Sequence, residues 1–157
     1  MQSLIELIRS NFSNNIALII ISMFPLIELK GSIPVGLAMG FKPLQAYLYS
    51  LVGSTIPAIF ILLWIMPIFD YMKKKDSLKK LVVWAESKAK KKEGNIKKYE
   101  YIGLFLFVAI PLPGTGVWMG SLIASILGLK KLKSFVTIAI GNIIAGIIIY
   151  TFSSFFF

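Results

Sequence analysis

Pro25-Leu26-Ile27-Glu28-Leu29-Lys30-Gly31-Ser32-Ile33-Pro34 sets a carboxylate and an ammonium two residues apart in apolar chain. Ile16-Ala17-Leu18-Ile19-Ile20-Ile21-Ser22-Met23-Phe24 precedes it, and Val35-Gly36-Leu37-Ala38-Met39-Gly40 follows. Each charge at the centre of a spanning helix costs about 2.5–3.5 kcal/mol on insertion scales. Charges kept at membrane depth therefore mark ion or substrate chemistry. Prolines at both ends and Gly31 within predict a broken segment rather than one smooth helix.

Outward from this stretch the chain stays greasy. It has 157 residues, 57% of them hydrophobic, with mean hydropathy +0.79, well above the apolar share of soluble domains. The expected organisation is a single membrane domain, 1–157, with no separate soluble domain. Cysteine and histidine are both absent. Disulfides, thiol chemistry and most metal and cofactor constellations are thereby excluded, and no cofactor or metal is expected. The seven carboxylates are Glu6, Glu28, Asp70, Asp76, Glu86, Glu93 and Glu100. Only Glu28 lies in an apolar block, so paired-carboxylate catalysis is poorly supported and an enzyme is not expected. The net charge is +10, and 11 of the 17 basic residues fall between 73 and 98. In so apolar a chain this points to a membrane surface, not to nucleic acid. No small-residue cleavage site follows the first apolar run and Glu6 interrupts its basic start, so the N-terminus reads as retained.

Four apolar blocks stand out, at about 16–40, 44–69, 101–128 and 135–157. The second and fourth are long enough for the ~20 residues a bilayer requires. The first and third are broken at their midpoints, the third by Pro111-Leu112-Pro113-Gly114-Thr115-Gly116. Arms of roughly 10–12 residues reach only half-way across a ~30 Å core, which predicts re-entrant hairpins. At an offset of 88, Pro25 maps on Pro113, Gly40 on Gly128, Lys42 on Lys130, Leu44 on Leu132, Tyr47 on Phe135 and Gly53 on Gly141. Internal repeats of this kind are a common transporter architecture.

Charge placement favours two crossings over four. With both hairpins re-entrant, the basic run and Lys130, Lys131 and Lys133 share one face, as the positive-inside bias requires. The expected fold is all-α and integral to the plasma membrane. It is an inverted repeat of re-entrant hairpin plus transmembrane helix, about 16–69 and 101–157, with both hairpin tips meeting at mid-membrane. A cytoplasmic basic connector, about 70–100, joins the repeats, and both termini lie outside. Leu78, Leu81, Val82, Ala85 and Ala89 follow helical spacing, predicting an amphipathic helix on the anionic inner leaflet.

Candidate site residues fall in three groups. Glu28 and Lys30, with Gly31, Ser32 and Pro34, form the first. On an irregular tip the two charges could project together, with Glu28 cycling a proton and Lys30 pairing with it or facing an anionic substrate. The bland alternative is an ion pair that pins the hairpin. Pro111, Pro113, Gly114, Thr115 and Gly116 form the second group, with Trp118 as packing or cavity wall. Their backbone groups and one hydroxyl suit ion or carboxylate coordination, or simply a tight turn. Asn142 is the third, an interhelical hydrogen-bond donor among small-residue contacts at Gly53, Ser54, Gly120, Ser121, Gly141 and Gly146.

Glu28-Leu-Lys-Gly-Ser-Ile-Pro34-Val-Gly36 and Pro111-Leu-Pro-Gly-Thr-Gly-Val-Trp-Met-Gly-Ser-Leu-Ile-Ala124 resemble the putative small multi-drug export protein family over nearly the whole chain. That family carries arginine where this chain has Lys30, so a bidentate guanidinium contact is lost. The hairpin-plus-helix halves are also similar to the DedA superfamily, whose members are associated with lipid translocation, including polyprenyl-phosphate carriers. Residues 111–120 lack the arginines of DedA-type second hairpins. The first expectation is a small secondary transporter exporting amphiphilic molecules, with the lone carboxylate Glu28 as the place where protons couple. The alternative is a lipid-phosphate translocase using Lys30, and a third class is a membrane scaffold with a structural charged tip. A homodimer is expected, because two crossings offer little bulk to shield the hairpins.

Overall fold

The computed structural model describes the backbone of residues 2–74, 79–80, 82–84, 86–87 and 100–156, and the side chains of these except 2–4, 7, 9 and 154–156. Among the described residues seven helices have defined bounds, residues 79–80, 82–84 and 86–87 are also helical, and no strand occurs. The seven are α1 (Gln2–Asn11), α2 (Asn14–Ser22), α3 (Glu28–Ala38), α4 (Pro43–Lys73), α5 (Tyr101–Ala109), α6 (Val117–Ile126) and α7 (Lys131–Phe156).

The four apolar blocks become two pairs of short helices and two long ones. α2, α3, α5 and α6 have 9, 11, 9 and 10 residues, about 14–17 Å each at 1.5 Å per residue. α2 packs on α3, and α5 on α6. α4 has 31 residues and α7 has 26, enough to cross a bilayer core. In their most apolar windows only 33% and 28% of residues are buried. Phe60, Leu63, Trp64 and Ile68 on α4, and Val136, Ile140 and Ile147 on α7, are exposed. A helix in the core of a soluble protein would bury such residues, so these two helices have the surfaces of candidate membrane spans.

Both short pairs end alike. Gly40 N–H donates to the Leu37 carbonyl and Phe41 N–H to the Gly36 carbonyl; Gly128 N–H donates to Ser125 and Leu129 N–H to Ala124. These are two Schellman caps, each on a left-handed glycine, Gly40 at φ 86° and Gly128 at φ 66°. Each cap lies 88 residues from the other, as do the first residues of α4 and α7.

The chain forms two compact units. The first runs up to Pro57 and resumes at Asn142. In it Ile8 of α1 joins Ala17, Ile21 and Ile27 in one cluster, and Leu29, Ile33 and Ala145 form another with Tyr47 and Leu51. The helix α1 is a feature the hydropathy blocks do not contain. The second unit, Ala58–Gly141, is centred on Leu104, Val108, Val117, Ile123, Ala124 and Ile138. Of the stripe expected on the connector, Leu78, Leu81, Ala85 and Ala89 lie outside the described residues. Val82 is described and is buried.

Small residues set the helix contacts in each unit. A Cβ at Gly53 would collide with Ser22 Oγ and the Ile19 carbonyl, and one at Gly146 with the Tyr47 ring. A Cβ at Gly141 would lie 3.1 Å from the Phe105 carbonyl oxygen. Gly53 thus rests on Ile19 and Gly141 on Phe105, 86 residues apart instead of 88. The second turn, 110–116, is two residues longer than the first, 23–27, which accounts for the difference.

Candidate functional site

Pro25 ends the run of helix begun by α2, and residues 23–27 turn the chain back. The turn is held by N–H donors of Ile27 and Glu28, both to the Phe24 carbonyl, at 3.1 and 2.9 Å. Glu28 follows at φ 45°. A left-handed backbone at a residue with a Cβ costs about 1–2 kcal/mol. Glu28 is nevertheless 6% exposed, within the first turn of α3.

The expectation of both charges on an irregular tip is corrected in detail: Glu28 and Lys30 belong to α3, and the irregular part is 23–27. On a regular helix residues two apart diverge. Left-handed geometry at Glu28 redirects its side chain, and Oε2 lies 3.9 Å from Lys30 Nζ. Pro34 lies inside the same helix and supplies no N–H to the Lys30 carbonyl four residues back. The backbone ladder is thus interrupted beside the ion pair. Ser32 is buried, with its hydroxyl 3.5 Å from the Leu29 carbonyl, and a Cβ on Gly31 would touch Ile27 Cγ2 at 3.0 Å.

In the same unit Asn142 of α7 donates through Nδ2 to Ser54 Oγ at 2.8 Å and Thr55 Oγ1 at 3.0 Å, both on α4. The two hydroxyls donate their own protons to the Leu51 carbonyl, at 3.3 and 2.8 Å. Each is therefore an acceptor toward Asn142, which fixes the amide orientation. Tyr47 OH donates to the Ile143 carbonyl at 3.4 Å, so α4 and α7 run antiparallel within this unit. Sequence reading singled out Asn142 but gave Thr55 and the Tyr47 hydroxyl no part. The available signal was the offset of 88 seen in the sequence, which is the separation of Ser54 from Asn142.

In the second unit residues 110–116 form one compact turn. The Thr115 hydroxyl accepts from Leu112 N–H at 3.1 Å and lies 2.9 and 2.8 Å from the Ile110 and Leu112 carbonyls. That hydroxyl is committed to closing the turn. Gly114 and Gly116 take φ 76° and 120°, Pro111 is half-buried, Pro113 is exposed, and Trp118 is half-buried on α6. Among the described residues no three His, Cys, Asp or Glu converge as a metal site would need.

Two bilayer-length helices with exposed apolar surfaces, and a carboxylate and an amide buried beside them, define a helical membrane protein. Within that class the chain belongs to the putative small multi-drug export protein family, whose sequence profile matches residues 28–148. The matched region begins at Glu28, directly after the first turn, and takes in the second turn and Asn142. No curated protein and no solved structure matches the chain.

Proposed function

We propose that the protein is a small secondary exporter of amphiphilic molecules in the plasma membrane, with Glu28 as its proton carrier. The observation that carries this reading is a carboxylate buried in apolar chain on a left-handed backbone, 3.9 Å from Lys30. A structural ion pair does not need the backbone strain. Strained, buried charge is retained where it is used. Protonation of Glu28 releases Lys30, and deprotonation restores the pair, so proton binding and the site's charge are linked.

The accompanying architecture is an inverted repeat of re-entrant hairpin plus crossing helix. Three observations support it: helices too short to span, caps recurring at an offset of 88, and the contact between Ser54 and Asn142. Those two residues are equivalent under the repeat and touch each other. Equivalent positions meet in this way where a two-fold axis passes between them. The basic connector is then cytoplasmic, and a homodimer shields the hairpins. The lipid-phosphate alternative has Lys30 in its favour but no basic residue in 110–116.

Proteoliposomes loaded with ethidium, an amphiphilic cation, test the proposal under an imposed pH gradient. Glu28→Gln keeps the shape and removes the titration, so pH-dependent flux is expected to vanish. Lys30→Arg is expected to be tolerated. Wild-type flux with unchanged pH dependence in Glu28→Gln would overturn proton coupling.

A further inference from the structure

Within the second unit an apolar cleft of about 360 Å³ lies between the C-terminal half of α4 and the start of α7. Its walls are Ile59, Leu62, Leu63, Leu132 and Phe135, and Lys131 stands at the edge. The size falls in the ~300–1,000 Å³ range of small-molecule sites.

The repeat shows that the fold does not need this space. Shifted by 88 residues, Leu62 corresponds to Tyr150, and Phe135 to Tyr47. In the first unit those two tyrosine rings pack with centroids 6.1 Å apart. In the second unit leucine stands in place of the second ring, and the cleft is open. Charge differs between the two places as well. The first has Lys42 and Pro43, whereas the second has Lys130, Lys131 and Lys133. None of these three lysines forms an ion pair among the described residues. Tyr101 organises them: its hydroxyl accepts the Lys130 N–H at 3.2 Å, and its ring lies 5.9 Å below the Lys133 ammonium. The cations also stand at the positive end of α7, where the helix dipole disfavours cations and favours anions.

We propose that this cleft holds an acyl chain of an anionic bilayer phospholipid, with its phosphate on Lys131. Hydrocarbon fills the space that Tyr150 closes in the other unit, and phosphate neutralises a cluster with no carboxylate partner among the described residues. The inference rests on the membrane class of the protein and not on transport, so its failure would leave the exporter reading intact.

The test uses the full chain, purified in detergent and supplied with dioleoylphosphatidylglycerol or dioleoylphosphatidylcholine at equal concentration. Native mass spectrometry reads retained lipid, and thermal unfolding reads stabilisation. The phosphatidylglycerol is expected to be retained preferentially and to raise the unfolding temperature. Leu62→Tyr, which copies the other unit, is expected to abolish retention in a folded protein, and Leu63→Trp does the same from the neighbouring position on α4 should Leu62→Tyr not fold. Lys131→Gln is expected to lower the preference for the anionic lipid about fivefold. Equal retention of both lipids, or unchanged retention in a folded cleft-filling variant, would overturn the proposal. So would efficient disulfide cross-linking of two chains through Leu132→Cys, which would make a second copy the occupant.

Discussion

Positions 28 and 116 stand 88 apart, and both have positive φ, 45° and 120°. At Gly116 no Cβ is present to clash, whereas at Glu28 the chain accepts the clash in order to place a carboxylate. Glu28→Gly and Glu28→Ala both delete the acid, but only glycine relieves the backbone. Glu28→Gly is therefore expected to be more stable than Glu28→Ala by about 1 kcal/mol, read by thermal unfolding in detergent, with proton-coupled flux lost in both. Equal stability of the two would mean that the backbone there is unstrained. Asn142 offers a second measurement. Asn142→Leu keeps the volume and removes two interhelical hydrogen bonds, at an expected cost of about 1 kcal/mol. A paired Ser54→Ala change should then add little, because its partner is already gone. Full additivity in that double-mutant cycle would show that the two residues do not interact.

The helix ends give predictions of a different kind. A Cβ at Gly40 or Gly128 meets nothing within 4 Å, so only the left-handed backbone resists substitution. Gly40→Ala and Gly128→Ala are expected to destabilise alike, by about 1 kcal/mol each. Gly53→Ala should cost more, since its Cβ would overlap Ser22 and the Ile19 carbonyl and push α2 off α4. Equal losses for Gly53→Ala and Gly40→Ala would contradict that close approach. In the second turn Gly114→Val and Gly116→Val place β-branched residues at φ 76° and 120°, where they are strongly disfavoured. Both are expected to insert in the membrane but lose flux in proteoliposomes.

For the whole molecule the question is the number of crossings. Short helices of 9–11 residues cannot each span, so two crossings follow if each pair of short helices turns back within the membrane. Cysteines at Ser3, Ser87 and Ser154 in this cysteine-free chain report it through an impermeant thiol reagent. Positions 3 and 154 are expected to label from outside, with position 87 protected. Labelling of positions 3 and 87 from the same side would require a different number of crossings.

Hydropathy and proline placement alone locate the breaks at Pro25 and at 111–116 and the long helices α4 and α7, because in lipid every backbone group must find an internal partner and length decides what can cross. The same reasoning isolates Glu28, since an ionisable residue in apolar sequence stands out without any coordinates. The six matches at an offset of 88 were also legible, but the two-residue lengthening of the second turn was not, because it shows only in which carbonyl each packing glycine rests on. The helix α1 escaped for a similar reason: Ile5 and Ile8 make a short stripe that acquires meaning only against Ala17 and Ile21. Tertiary structure alone decided that Glu28 begins a helix in left-handed geometry, and that Asn142 pairs with Ser54, 88 residues before it. It alone left one cleft open where Tyr150 closes the other. Those outcomes depend on distances between residues far apart in the chain, and local patterns of polarity do not encode them.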